Sequence, residues 1–145
     1  MATVKGVNRT VADQTSNLHT LAPGLFGGNV KVMVDTYELS SLASGSIIEM
    51  GGDLPIGARV LAVHLVFDGL GGSVTMDVGD AEDANRYISA EAVSSAGEKW
   101  GALADGVEYE IDETDTSNTD RQVLITTGGA TGTGTVKLKV YYTHE

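Results

Sequence analysis

The sequence contains no cysteine and only two prolines among its 145 residues. Without cysteine the chain forms no disulfide, holds no thiolate zinc cluster and offers no thiol nucleophile. No apolar run approaches the roughly 20 residues that span a bilayer, and the first fifteen residues lack the apolar stretch of a secretory signal. No tract rich in lysine or arginine marks a surface for nucleic acid or anionic membranes. These absences exclude several classes of protein and identify none.

Glycine, by contrast, is abundant. It accounts for 19 of the 145 residues, well above the usual share of about 7%. Apolar residues make up 41% and charged residues 20%, which are proportions of a folded globular domain rather than of a disordered chain. The length allows one domain with a substantial core. The composition therefore predicts a single, turn-rich, all-β domain.

Negative charge is concentrated in one part of the chain. Residues 77–120 hold thirteen acidic residues and two basic ones, which gives the same net charge of −11 as the whole chain. Residues 1–34 instead carry a net charge of +2. Phosphate backbones repel a domain this acidic, so we expect neither a nucleic-acid nor a membrane partner. The simplest interpretation of the acidic block is a solvated outer face.

Residues 1–28 show no sustained apolar period and end in two turn-forming pairs, Pro23-Gly24 and Gly27-Gly28. We interpret them as an extended N-terminal arm, which at roughly 3.3 Å per residue reaches several nanometres. The arm would be anchored by apolar residues, namely Val4, Val7, Val11, Leu18, Leu21, Leu25 and Phe26. These side chains either bind a neighbouring subunit or cover the protein's own body, and the sequence favours neither.

Residues 29–145 follow the two-residue period of β-strands, with turn-forming residues between the runs. In the first predicted strand Val30, Val32 and Val34 share one face. The last predicted strand spans residues 136–143, after a glycine-rich turn at 128–135.

The strongest strand pattern covers residues 58–68, where both faces are apolar, so we expect a central strand covered on both sides. Residues 91–103 are the one stretch whose pattern also permits a short helix, although Gly97 and Gly101 weaken it. About eight strands at this spacing are typical of a sandwich or barrel. The predicted fold is an all-β, jelly-roll-like β-sandwich of about eight strands over residues 29–145, preceded by the extended arm.

Residues for catalysis are few. The three histidines, His19, His64 and His144, are scattered, and we interpret His64 as a partly buried strand residue with a local hydrogen bond. Neither a G-x-S-x-G elbow nor a phosphate-binding G-x-x-x-x-G-K-[ST] loop is present. A single tryptophan, Trp100, is a thin aromatic supply for a sugar cleft. We therefore expect no enzyme and no cofactor.

Two acid-rich loops are candidate calcium sites, because calcium is bound by clustered oxygen ligands. The candidate ligands are Asp80, Glu82 and Asp83 in the first loop and Asp112 and Asp115 in the second. Neither loop matches the D-x-[DN]-x-[DN]-G pattern of a calcium loop. A simpler alternative is that Asp80 and Asp83 accept hydrogen bonds from backbone N–H groups in a turn. The sequence therefore predicts no metal site. If the protein does bind calcium, these five carboxylates are the candidate ligands.

Two stretches resemble small structural proteins encoded in the head gene clusters of tailed phages. Residues 22–39, APGLFGGNVKVMVDTYEL, resemble the junction between arm and first strand. Residues 54–90 contain P-x-G-A-R-V-L, an alternating strand, a Gly-Gly turn, V-G-D and A-x-R-Y in that order. Together the two stretches cover 55 of the 145 residues. On these packing and turn motifs the chain is similar to the capsid decoration, or head-stabilising, proteins of tailed bacteriophages.

The resemblance implies a non-enzymatic virion structural protein, made in the host cytoplasm and bound to the capsid surface. Its partners would be the major capsid protein of a phage shell and further copies of itself, as a trimer. It transfers no active-site residue to this chain. The alternative is a fibre, tail or receptor-binding module for carbohydrate, since one sandwich fold serves both roles.

Overall fold

The computed structural model of the protein describes residues 28–101, 109–112 and 121–144. Within these ranges every regular element is a β-strand, and no helix is long and apolar enough to cross a membrane. The eight strands are β1 (Val30–Leu42), β2 (Ile47–Met50), β3 (Arg59–Phe67), β4 (Thr75–Gly79), β5 (Ile88–Ala92), β6 (Gly97–Trp100), β7 (Val123–Gly128) and β8 (Gly132–Thr143).

The strands form two four-stranded antiparallel sheets. One sheet has the order β1-β8-β3-β6 and the other the order β2-β7-β4-β5. Chain neighbours such as β1 and β2 therefore lie in opposite sheets, and the first and last strands pair along most of their length. This order is the jelly roll, in which two Greek keys fold over one another. The predicted all-β sandwich of eight strands is confirmed.

Strand β3 is central, as its sequence predicts. It pairs with β8 along its length and with β6 at its C-terminal half. Its inward residues Val63 and Leu65 have no exposed surface, whereas outward Val66 is half-buried. The core between the sheets is apolar, and its largest fully buried side chains include Tyr87, Leu39, Met50, Leu54, Leu65, Met76, Ile88, Ile111, Ile125 and Leu138.

The short helix considered for residues 91–103 is wrong over the described part of that stretch. Strand β5 extends to Ala92, and β6 begins at Gly97. Pairing of β6 with β3 gives these residues backbone partners outside their own segment, for example between Lys99 and Leu65. That tertiary pairing outweighs a helix propensity already lowered by glycine.

The glycine-rich turn between β7 and β8 is shorter than predicted. Strand β7 continues to Gly128 and β8 begins at Gly132, so only residues 129–131 form the connection. Gly129 has a φ of 75°, and a Cβ atom there would overlap the carbonyl oxygen of Ser73. The turn therefore requires glycine at position 129.

Residues 109–112 are described between two stretches that the structure does not describe. Glu110 forms an isolated bridge to Arg59, while Ile111 is buried and Tyr109 half-buried against the core. The side chains of Tyr109 and Ile111 thus add to the core beside β3.

Candidate interaction surface

The sandwich has two open sides, where the edges of the two sheets meet. Strands β1 and β2 border one side, and strands β5 and β6 border the other. On the second side the Nζ of Lys99 lies 3.2 Å from the Oε2 of Glu91, so an ion pair joins the two sheets. Both edge strands there are short, with five residues in β5 and four in β6.

The first side carries exposed apolar side chains. Val30, Val32 and Val34 of β1 are 61%, 53% and 52% exposed, and Ile47 of β2 is 62% exposed. The predicted alternation of β1 is thus confirmed, and the structure shows that its valine face is the outer one. A shallow groove of about 270 Å³ runs beside this edge, lined by Tyr37, Leu42, Ile47, Ile48 and Glu49.

Contacts on the inner face of β1 hold the valines outward. The Oδ2 of Asp35 accepts a hydrogen bond of 2.7 Å from the backbone N–H of Gly51, beyond the end of β2. Met33 packs against the core and over the same glycine. A slip of β1 by one residue would turn the valines inward and break both contacts, because adjacent strand residues face opposite ways.

Basic residues divide into two groups by their partners. Four of those described form ion pairs with carboxylates, namely Arg59 with Glu110, Arg86 with Asp80, Lys99 with Glu91 and Arg121 with Asp53. Lys31 of β1 and Lys137 and Lys139 of β8 have no ion-pair partner among the described residues.

Two of the unpaired lysines lie beside the exposed valines. Lys139 is directly opposite Val34 in the β1–β8 pairing and Lys137 is opposite Thr36, so both share the outward face of the valines, whereas Lys31 pairs with Tyr142 and faces the other way. We call the five residues Val30, Val32, Val34, Lys137 and Lys139 the valine–lysine surface. It combines apolar area with positive charge in a chain whose net charge is −11.

A row of rings crosses the same sheet. His64 of β3 stacks on Trp100 of β6, with ring centroids 4.0 Å apart and planes 4° apart, and Trp100 in turn stacks on Tyr141 at 5.7 Å. The Nε2 of His64 lies 2.6 Å from the Oε2 of Glu98. His64 is a strand residue as predicted, but it is buried rather than partly buried, and its hydrogen-bond partner lies on the neighbouring strand β6 and is not local in sequence.

The first acid-rich loop is a tight turn held by Asp80. The Oδ1 of this buried carboxylate accepts hydrogen bonds from the backbone N–H groups of Glu82, at 3.1 Å, and Asp83, at 2.9 Å. Arg86 forms an ion pair with the same carboxylate, and its guanidinium lies 3.9 Å from the centre of the Tyr109 ring. The alternative that Asp80 is a turn acceptor is confirmed.

The charge of Arg86 is maintained by this turn. Burial alone would lower the pKa of Arg86, but the hydrogen bond to Asp80 and the charge of that carboxylate outweigh burial and raise the pKa. The guanidinium therefore stays charged at any ordinary pH and occupies the carboxylate that a cation would need.

The remaining calcium candidates are exposed or lie outside the described residues. Glu82, Asp83 and Asp112 are exposed, and Asp115 falls in a stretch that the structure does not describe. Across the described ranges no group of three or more histidine and acidic side chains is placed to hold a metal.

We expect calcium to leave the stability of the protein unchanged. Arg86 already neutralises Asp80, and a divalent ion there would have to displace a guanidinium from a buried carboxylate. Differential scanning calorimetry with millimolar calcium and with EDTA should give the same melting temperature. A melting temperature that rises with calcium and falls again with EDTA would show that calcium binds the protein, with the acid-rich loops as the candidate site.

The predicted arm anchors, Val4, Val7, Val11, Leu18, Leu21, Leu25 and Phe26, all lie outside the described residues. The described part begins at residue 28, and β1 follows at Val30. The segment before residue 28 thus joins the body at one end of the valine–lysine surface.

The fold defines the class of protein, a small jelly roll, an architecture common in viral capsids. Comparison with protein-family models gives no match, and neither does comparison with curated protein sequences. Among solved structures, a chain of the cyanophage Pam1 capsid asymmetric unit is 30% identical, with a TM-score of 0.71. The similarity covers 92% of this chain and 99% of that one. The protein belongs to the family of phage capsid-associated structural proteins, and its place is the virion.

Two further phage capsids contain chains of the same fold. In the capsid of Ralstonia phage GP4 the identity is 23%, over 81% of this chain and 86% of that one, with a TM-score of 0.62. In the acidic stable capsid structure of Helicobacter pylori bacteriophage KHP30 the identity is 15%, over 79% and 87%, with a TM-score of 0.58. The jelly roll is therefore shared with chains of much lower identity.

Proposed function

We propose that this protein is a non-enzymatic decoration protein that binds the outer surface of a phage capsid and stabilises it. The observation that supports this most directly is the 30% identity over nearly the whole of a chain in the cyanophage Pam1 capsid. The partners we assign are the major capsid protein and further copies of this chain, as a trimer. The protein would be made in the host cytoplasm and added to the capsid surface.

Stabilisation would follow from binding linkage. A ligand that binds the assembled shell, and not its separated subunits, shifts the equilibrium toward the shell by mass action. A trimer multiplies this effect, because its second and third contacts form at a high effective concentration once the first has formed. Neither step requires a catalytic residue.

We assign residues 1–28 to an arm and residues 29–145 to the jelly-roll body. The support is the change at residue 29 from an aperiodic sequence to alternating strands. Residues 1–34 carry a net charge of +2 in a chain of −11. A basic arm can thus bind an acidic neighbour that would repel the body.

Deleting residues 2–24 should leave the body folded and weaken binding to shells by about ten-fold or more, because the arm supplies several anchoring contacts. The measurement is co-sedimentation of the purified protein with shells assembled from the major capsid protein of the same phage. Unfolding of both proteins in urea checks that the jelly roll is intact. Equal binding by the truncated and full-length proteins would show that the arm has no part in attachment.

Shell binding, compared with binding to a glycan array, distinguishes decoration from the alternative of a carbohydrate-binding module. A decoration protein should bind shells and raise the temperature at which they disrupt. Binding to a glycan array that EDTA abolishes, with no binding to shells, would instead identify the carbohydrate-binding module.

A further inference from the structure

The two open sides of the sandwich differ in how their edge strands are protected. The β5/β6 side has short strands, an irregular register between β4 and β5 and the Lys99–Glu91 ion pair between the sheets. Short strands, bulges and charges are the features that keep a sheet edge from pairing with another chain.

On the β1/β2 side, β2 has only four residues and the register of β1 with β8 shifts between Leu39 and Leu42, but no ion pair among the described residues joins β1 to β2. Strand β1 is thirteen residues long, pairs only with β8 and presents three exposed valines in succession along one face. A long, apolar and unpaired edge strand is a site for association, and proteins that keep one usually cover it.

We propose that the valine–lysine surface binds a second copy of this chain. The inference deepens the proposed function, because it names the surface through which the copies would associate. Val30, Val32 and Val34 supply the apolar area, and the outer edge of strand β1 has no strand partner among the described residues.

Charge identifies the occupant. Lys137 and Lys139 of this surface have no ion-pair partner among the described residues. The chain itself has 20 acidic and nine basic residues, and it exposes carboxylates elsewhere, among them Glu82 and Asp83 in the Asp80 turn. A second copy therefore offers the negative surface that complements these lysines.

The same charges determine the symmetry of the contact. If two valine–lysine surfaces faced each other across a two-fold axis, lysines of one copy would lie against lysines of the other. A contact between this surface and a different, acidic surface of the neighbour avoids that repulsion. Such a heterologous contact gives a closed ring when the rotation between neighbours closes and an open filament when it does not, and the proposed trimer is a closed ring of three.

The test is the mass of the full-length protein in solution, by light scattering on a sizing column over a range of concentrations. One variant, V30T/V32T/V34T, removes the apolar area and keeps β-branched side chains suited to a strand. A second variant, K137E/K139E, reverses the charge and alters no buried apolar residue. The control is Ile56→Thr, which removes an exposed apolar side chain from the turn before β3.

We expect the unaltered protein and the control to be oligomeric and both surface variants to associate about ten-fold or more weakly. A monomeric unaltered protein, or surface variants as large as the unaltered one, would overturn the inference. If the valine variant fails to fold, as judged by circular dichroism, the lysine variant decides.

Shell binding by the same proteins separates this inference from the proposed function. The unaltered protein could be a monomer that binds shells, while the valine variant does not bind them. That result would assign the surface to the capsid protein, and it would overturn the self-association inference but not the proposed function. An oligomer that dissociates on substitution but never binds shells would support the surface and contradict decoration.

Discussion

Replacing Leu65 with alanine should lower the free energy of unfolding by about 2–5 kcal/mol. Leu65 lies in the middle of β3 with no exposed surface, between the neighbouring strands β8 and β6. The loss includes the apolar contacts of the removed atoms and the cavity left behind, which the closely packed core between the two sheets cannot readily close. Urea unfolding measures this loss of stability as a lower midpoint concentration of urea at an unchanged m-value.

Val66→Ala provides the control on the same strand. Val66 is the next residue and points to the outer face, where it is half-buried. Its truncation should lower the free energy of unfolding by only about 1 kcal/mol. No second sheet packs on the outer face, so the truncation leaves no enclosed cavity. A loss at Leu65 below about 1 kcal/mol would mean that β3 is not the centre of the core.

That Leu65 would be buried could be predicted from the sequence, because a strand with apolar residues on both faces belongs at the centre of a sheet. The neighbours of β3 could not be predicted in the same way. Alternation assigns side chains to faces and leaves the pairing of strands open. The jelly roll places β3 between β8 and β6, which are far from each other in the chain.

The outward face of β1 shows a second limit of the pattern. Its three valines are more apolar than the face carrying Met33 and Asp35, yet the valines are exposed. The cause is a tertiary contact, because Asp35 accepts a hydrogen bond from the backbone N–H of Gly51, which lies just after β2. The valine–lysine surface thus could not be located from the alternation of β1, although the valines themselves were visible in the sequence.

The Asp80 turn could be read locally because its hydrogen-bond partners are close in sequence. Asp80 binds the N–H groups two and three residues ahead and the guanidinium six residues ahead. The cation–π contact of Arg86 with Tyr109 joins this turn to a distant segment, and no local motif predicts it.

Replacing Asp80 with alanine should destabilise the protein by about 3–5 kcal/mol, because it breaks a buried ion pair and leaves one partner in place. Asp80 is 4% exposed, and the Arg86 side chain is only 17% exposed. The substitution also removes the acceptor for the N–H groups of Glu82 and Asp83. Urea unfolding of the variant and the unaltered protein provides the measurement.

Asp80→Asn separates the two contributions of this side chain. Its amide oxygen can still accept from the turn, while the charge that holds Arg86 is lost, so the cost should fall between zero and that of alanine. Pairing each Asp80 variant with Arg86→Met completes a double-mutant cycle. The double variant Asp80→Ala with Arg86→Met should be more stable than Asp80→Ala alone, since no unpaired guanidinium remains. If the two losses simply add, the ion pair contributes nothing to the fold, and Asp80 acts only as the acceptor of its own turn.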